Sequence, residues 1–492
     1  MEQKSNHTIE NQAFWFSVIN YLAIAIGVVS TFFLYPYDLD FIGKIGYIDS
    51  LAQMIFPFLV FGGTHTLIRY YPVLTNENRF QLFKYSSRTI LFISFFIGLL
   101  LIFVDFFVSW DLYIYLYYSF FLAVAMAYIE LLKRQAANLQ RISVPAFYDK
   151  IIPKIALPLV LVLFLFKISS EENAIFLYLF FYAFLVFLLF SYIKKHFTVS
   201  RVGSFQKLFS QIEKKEYFKY SFYAFVGSFG SFLAFRLDGF MIPLFLDFEM
   251  GGIYKVGVNL ASALAIPSVG LFTLYAPKVA TYIEKGEWKE LQNKYSETAA
   301  FLFFVGAFVL GGVVVGIESF FKLLPQTDKL LKALPIIYIL GANVVVNMGT
   351  GFNSEIISYS NHYKFIMKAI LVLVFVNIGL NYVVLTHTSM GLLGVALATF
   401  VSMSLFNVCK LLFIYKKMRI QPFTKKYIRL IVIQLTIILV VYSFPDLNNL
   451  WLNFFVREIA FVAFTILIVY KLKTVYLLNN WIDKIILYIQ KR

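Results

Sequence analysis

The sequence predicts an all-α polytopic membrane protein, and three observations carry that prediction. Apolar residues fill 60% of the 492 positions and charged residues only 14%, where soluble domains sit near 45–50% and about 25%. Mean hydropathy is +0.76. Fourteen stretches approach or exceed the ~20 apolar residues that a span needs: 13–34, 44–68, 88–108, 113–132, 147–167, 173–193, 219–245, 252–276, 297–320, 333–354, 366–386, 390–413, 428–445 and 453–470. Apolar side chains occupy every face of these stretches, the pattern of helices immersed in lipid or in a bundle. The alternating polarity of a transmembrane barrel is absent. A soluble multi-domain enzyme, a disordered chain and a secreted disulfide scaffold are thereby excluded. Cys409 is the single cysteine, which leaves no intrachain disulfide and no thiolate metal cluster.

The first stretch follows Met1–Gln12, whose Glu2, Lys4 and Glu10 make it only weakly basic. With a long apolar run and no small-residue cleavage site, it is expected to be an uncleaved anchor. With the N-terminus in the cytoplasm, fourteen spans place most of the 43 Lys and Arg residues inside, and the outer loops hold only Lys44, Lys167, Lys322, Lys329 and Lys332. Asp38, Asp40, Asp105, Asp111, Glu171, Glu172, Asp247, Glu249 and Asp446 fall on the outer side. This is the positive-inside asymmetry, and it puts both termini in the cytoplasm. The net charge of +16 therefore faces anionic lipid, and no nucleic acid is expected as a partner.

The longest polar interruption carries Lys194, Lys195, Arg201, Lys207, Lys214 and Lys215. It divides the chain into a six-helix lobe at 1–193, a basic cytoplasmic linker at 194–218, a second six-helix lobe at 219–413, a helix pair at 414–474 and a tail at 475–492. Internal repeats are a common plan in transporters, with the site between the halves. Pro277–Glu297 is expected to form a short amphipathic interfacial helix. The tail, with Leu478, Trp481, Ile482, Ile485, Ile486 and Ile489 at helical spacing, is expected to lie in the inner-leaflet interface.

Three stretches carry a family resemblance: MIFPFLVFGGTHTLIRYYP at Met54–Pro72, RLDGFMIPLFL leading to GGIYKVGVNLASALAIPSVGLFTLYAPKVA over Arg236–Ala280, and NIGLNYVVLTHTSMGLLGVALATFVS at Asn377–Ser402. Together with span number and linker position, they resemble the polysaccharide flippases, of the O-antigen type, in the MOP (multidrug/oligosaccharidyl-lipid/polysaccharide) exporter superfamily. The resemblance implies two six-helix lobes around a central cavity in a bacterial inner membrane. It also implies alternating access, coupled to a gradient of H+ or Na+ with no bound cofactor. The implied cargo is an undecaprenyl-diphosphate-linked oligosaccharide, moved from the inner to the outer leaflet for surface polysaccharide biosynthesis. The implied partners are membrane lipids and a polysaccharide polymerase.

Such a cargo needs cations and hydrogen-bond donors for its head, and a charged side chain in a span usually faces a cavity or a partner. Arg236 and Asp238 lie deep in the seventh stretch. The planar guanidinium suits a diphosphate, and an i,i+2 spacing turns the two side chains apart. Arg236 is the expected diphosphate ligand, and Asp238 the expected coupling carboxylate; the alternative for both is a structural ion pair. Lys255, Asn259 and Ser262 form a polar stripe in the eighth stretch. It either lines the cavity or packs helices together, and Lys255 alone is also placed to snorkel.

Asp49 pairs in register with Gln53, and His65 with Arg69. Asp49 is the second coupling candidate, and Arg69 either contacts cargo or anchors the span. His65 titrates near neutral pH or holds a structural hydrogen bond. Lys150 and Lys154 open the fifth stretch as a diphosphate entry site or as interface anchors. Asn343 and Asn347, followed by Thr350 and Ser354, draw a polar stripe down the tenth stretch, and Asn377 and Asn381 a shorter one in the eleventh; both suit sugar hydroxyls or helix–helix hydrogen bonds. Arg457 and Glu458 stand outside both lobes and are expected to be structural or lipid-facing.

No enzyme is expected. Walker A, His-Glu-x-x-His and nucleophile-elbow motifs are missing. Asp38 and Asp40 form an Asp-x-Asp, which in a membrane glycosyltransferase holds a divalent cation against phosphate. The loop at 35–43 is short for that role, and an acidic outer turn is the simpler reading. A drug/cation antiporter on the same fold is the first alternative function, and the glycosyltransferase the second.

Overall fold

The computed structural model describes residues 2–107, 112–197, 204–362 and 364–490; Asp111 of the acidic outer set, Arg201 of the linker and the last two residues of the tail lie outside these. Among the described residues every regular element is helical. The chain divides into two compact units, Met1–Lys255 and Val256–Arg492.

The first unit holds α1 (Glu2–Phe33), α2 (Leu39–Val60), α3 (Gly63–Tyr70), α4 (Asn76–Phe107), α5 (Tyr113–Asn138), α6 (Ser143–Leu165), α7 (Glu171–His196), α8 (Phe205–Gln211) and α9 (Lys214–Phe245). It also holds the first half of α10 (Phe248–Ala263). Helix α2 is its centre: it packs against α4, α5 and α9, and Ile42, Ile45, Tyr47, Ile48, Ala52 and Leu59 are all buried. Asp38 caps its start by accepting the Phe41 backbone N–H at 2.9 Å, which satisfies a donor that no helix can bond internally. Around this centre α4 turns Phe92, Phe95, Phe103 and Phe106 outward. In water that would be a large sticky patch; against lipid tails it is the fitting surface.

The stretch expected as one span at 44–68 is two helices bent by 50°. Phe61 (φ 43°) and Gly62 (φ 73°) are both left-handed, a conformation that glycine adopts freely and other residues rarely. The break exposes the Phe61 carbonyl, and the Ser221 hydroxyl of α9 donates to it. Such repair is required where water cannot hydrate a freed backbone group. Nearby, a Cβ on Gly43 would meet the Phe248 carbonyl, and one on Gly252 the Leu39 carbonyl. Helices α2 and α10 therefore touch backbone to backbone, the small-residue contact that holds helices together in lipid.

The second unit comprises the rest of α10, then α11 (Ile266–Lys285), α12 (Trp288–Lys322), α13 (Thr327–Gly349), α14 (Asn353–Tyr359), α15 (Lys364–His387), α16 (Gly391–Met418), α17 (Lys425–Tyr442), α18 (Leu450–Lys471) and α19 (Tyr476–Gln490). Helix α12 is its centre, packed against α13, α17 and α18. Three expectations are corrected in this half of the chain. The stretch 252–276 is interrupted after Ala263, and Pro267 opens α11, because a residue without N–H fits a first turn and not a helix interior. Pro277–Glu297 is not a separate interfacial helix: α11 runs on to Lys285, Gly286 closes it in the left-handed region (φ 70°), and α12 begins at Trp288. The stripe from Asn343 to Ser354 does not run down one helix, since α13 ends at Gly349, Gly351 turns the chain (φ 61°), and Ser354 belongs to α14. The tail is the expected helix, α19; its Leu477 and Leu478 pack beside Phe301 and Val475.

Among the described residues nine helices are long and apolar enough to cross a membrane, ten if the bent pair counts as one. The other four predicted stretches also fold as helices, namely α6, α9, the α10–α11 pair and α17. They carry charge or a break: Asp149, Lys150 and Lys154 in α6, Arg236 and Asp238 in α9, and Lys425, Lys426 and Arg429 in α17. The protein is thus a multi-pass membrane protein.

The close approach of α2 and α10 is testable. Gly43→Val is expected to destabilise the detergent-solubilised protein by about 3 kcal/mol, the upper cost of overpacking. Gly227→Val, where a Cβ meets nothing within 4 Å, is expected to leave the thermal midpoint unchanged.

Candidate functional site

Helix α2 carries a half-buried carboxylate, Asp49, at the middle of the first unit. It accepts a hydrogen bond from the Tyr178 hydroxyl of α7 at 2.8 Å and an ion-paired bond from the Lys255 ammonium of α10 at 3.1 Å. Tyr178 is 2% exposed, and its hydroxyl lies 3.2 Å from that of Tyr182, one turn on. The Lys255 stem passes over Gly46, where a Cβ would stand 3.0 Å from it. The small side of α2 thus admits the lysine that the backbone contact with α10 brings close. Lys255 is therefore an internal partner of Asp49, not a residue snorkelling to an interface.

Two more cations belong to this cluster. Asp49 is the charged neighbour of Arg236, and Lys154 lies within electrostatic reach of Asp49, Lys255, Arg236 and Lys150. Arg236 of α9 and Lys154 of α6 both keep open side-chain surface. Among the described residues neither has a hydrogen-bond or ion-pair partner. Three cations face one carboxylate, and the carboxylate is already engaged by Lys255 and Tyr178. The arrangement leaves positive charge with open donor positions, which stabilises an anion and repels a cation.

The remaining predicted residues of this unit have local partners. Asp238 accepts a hydrogen bond from Tyr254 at 2.5 Å. Lys150 pairs with Asp149 at 3.5 Å, and Asp149 also holds Lys133 at 3.0 Å, which in turn holds Glu130 at 3.2 Å. That network ties α5 to α6, so Lys150 is not an open twin of Lys154. Arg69 lies over the Tyr220 ring at 4.2 Å, a cation–π contact. His65 meets the Ser228 hydroxyl at 3.2 Å. Asp38 is the cap of α2, while Asp40 and Glu171 hold Lys44 at 2.8 and 2.7 Å; the Asp-x-Asp is thus accounted for by a cap and an ion pair.

In the second unit Asn259 and Asn343 are half-buried and Asn347 is exposed. The buried Asn343 Oδ1 has no hydrogen-bond partner. Asn377 and Asn381 are fully buried; Asn381 donates to Asn377 at 2.6 Å, and Asn377 donates to Thr399 of α16 at 3.5 Å. These amides join α15 to α16 and offer little to a sugar. Sequence reasoning missed Tyr178, whose i,i+4 relation to Tyr182 is the readable signal. It also missed Lys410, 2% exposed, which donates to Ser354 at 3.1 Å beside Glu355. Among the described residues no three His, Cys, Asp or Glu side chains gather as metal ligands.

No family model and no curated protein matches this sequence. Solved structures do match. The lipid II flippase MurJ in an inward closed conformation aligns over 93% of this chain and 99% of its own, with a TM-score of 0.68 at 16% identity. An inward-facing multidrug resistance transporter of the MATE family, in the MOP superfamily, aligns over 84% and 94% with a TM-score of 0.57 at 13% identity. The chain shares the fold of these two transporters. A further MOP transporter, from Pyrococcus furiosus and described by the reverse polarity of its binding pocket, aligns over 84% and 92% with a TM-score of 0.51 at 11% identity. Within the first unit of this fold, Lys154, Arg236 and Lys255 gather around Asp49 of α2.

The cluster makes an ordered prediction. Asp49→Asn leaves Lys154, Arg236 and Lys255 facing one another and is expected to cost about 3 kcal/mol, the effect of breaking a buried ion pair from one side. Lys255→Met leaves Asp49 with two remaining cations and is expected to cost about 1 kcal/mol, an ordinary substitution effect. Thermal unfolding in detergent micelles reads both; the reverse order would show that Asp49 does not hold the cations together.

Proposed function

We propose that this protein is a flippase for an anionic, polyprenyl-diphosphate-linked oligosaccharide, working by alternating access in a bacterial inner membrane. The observation that carries this reading is the positive cluster of Lys154, Arg236 and Lys255 around Asp49 within membrane helices. A diphosphate supplies the missing negative charge. Arg236 is its main ligand, by the bidentate fork of its guanidinium, with Lys154 and Lys255 assisting. Lys150 and Arg69 act nearer the ends of their helices, and Asn259, Asn343 and Asn347 offer amides to sugar hydroxyls. Asp49 and Asp238 are the coupling carboxylates: protonation or a cation at Asp49 frees Lys255 for the cargo. Coupling to H+ or Na+, the lobes at 1–193 and 219–413, cytoplasmic termini and association with a polysaccharide polymerase belong to the same proposal. No catalysis is assigned.

A second reading, a drug/cation antiporter, draws on the fold shared with MATE transporters and on the tyrosines around Asp49. A cationic drug would have to displace Lys255 from that carboxylate against the repulsion of Arg236 and Lys154, so the charge balance favours the anionic cargo.

Charge reversal separates the two readings. Arg236→Glu, in stably expressed protein, is expected to abolish flipping, with complete repeat units retained on the cytoplasmic leaflet of a deletion strain carrying the variant. Arg236→Lys is expected to retain part of the rate. A normal lipid profile together with altered tolerance to organic cations would instead establish drug export.

A further inference from the structure

One face of the charged cluster opens onto an apolar groove between α1 and α6. The groove has a volume of about 290 Å³ and is lined by Ile26, Leu34, Pro158, Leu159 and Leu163, with Lys154 as its single polar side chain. At roughly 30 Å³ for each water-sized group, it accepts on the order of ten carbons, about two isoprene units. Lys154 reaches it across Gly27, where a Cβ would stand 3.2 Å from the ammonium; glycine is what lets the cation lie against α1. Pro153 and Pro158 flank the lysine. Pro158 has no N–H for the Lys154 carbonyl one turn back.

We propose that this groove seats the first isoprene units of a prenyl-phosphate lipid, with Lys154 as the junction between the chain's seat and the phosphate's. The proposal rests on the flippase reading and names where the cargo's tail is held. Lys154 belongs at once to the groove and to the neighbourhood of Arg236 and Lys255. The bound molecule must therefore pass from chain to phosphate within one side chain's length. A prenyl phosphate does so, because its single chain is esterified directly to phosphorus. A glycerophospholipid interposes glycerol and brings a second chain. A zwitterionic one also brings a cation to a site that already holds three.

The test uses the full chain in phosphatidylcholine nanodiscs, photolabelled with a benzophenone-bearing farnesyl diphosphate and mapped by peptide mass spectrometry. Labelling is expected within residues 26–34 and 155–163, and undecaprenyl phosphate is expected to compete while phosphatidylglycerol does not. Leu159→Trp, which fills the groove, is expected to reduce labelling about tenfold, the equivalent of about two methylenes left unburied. Leu163→Trp serves if that variant does not fold. Stabilisation by inorganic pyrophosphate, dependent on Arg236, is expected to persist in both. Labelling confined to other peptides, with that stabilisation intact, would overturn the groove and leave the flippase reading standing. Equal competition by phosphatidylglycerol would overturn it as a general lipid seat. Loss of both the labelling and the pyrophosphate effect in the unmodified protein would remove the anionic-cargo reading together with the groove.

Discussion

A charged side chain within the hydrocarbon region is costly unless it meets an opposite charge or water, and in this protein that constraint is met at Asp49. The carboxylate projects from α2, the helix around which the first unit packs. Its partners arrive from separate elements, Tyr178 from α7 and Lys255 from α10. Local geometry serves that convergence. Gly43 and Gly252 let α2 and α10 meet backbone to backbone, and Gly46 leaves room for the lysine stem. Apolar burial distinguishes poorly between helix–helix and helix–lipid contact, so small residues and polar contacts must supply the specificity. The same few residues of α2 therefore position a helix and fix a charge.

The helices were legible because bilayer thickness imposes a length that composition reveals directly. All fourteen stretches read alike from sequence, yet three of them, 44–68, 252–276 and 333–354, are interrupted. The breaks were not legible in that way. At Gly62 and Gly351 the backbone turns left-handed, and before Pro267 the helix is interrupted, all inside apolar sequence; hydropathy does not register a change of backbone angle. The signals present were the Gly-Gly pair at 62–63, a proline in a first turn and a Gly-Thr-Gly run at 349–351. Each also occurs in straight membrane helices.

The site was legible in part for an electrostatic reason. Intramembrane charges are few, so Asp49, Lys154, Arg236 and Lys255 stood out singly. Their gathering around one carboxylate is a tertiary fact that no spacing within a helix encodes. Lys150 and Arg69 looked equivalent to Lys154 in sequence, yet one is taken by Asp149 and the other lies over Tyr220. Tyr178 was hidden among 33 tyrosines, most of which have no such partner. Helices α6 and α9 each bring a cation without an ion-pair partner among the described residues to the cluster, Lys154 and Arg236.

The unequal numbers of cations and carboxylates have an electrical consequence. Lys154, Arg236 and Lys255 against Asp49 leave two formal positive charges on the cluster, which the diphosphate of the proposed cargo would cancel. In the proposed flippase cycle the loaded form would cross the membrane field as a nearly neutral body, and the empty form would carry its charge back. Each elementary charge moved through a potential of 100 mV is worth about 2.3 kcal/mol. Under that proposal the membrane voltage would act chiefly on the empty carrier, and the return stroke would be the step it accelerates or holds.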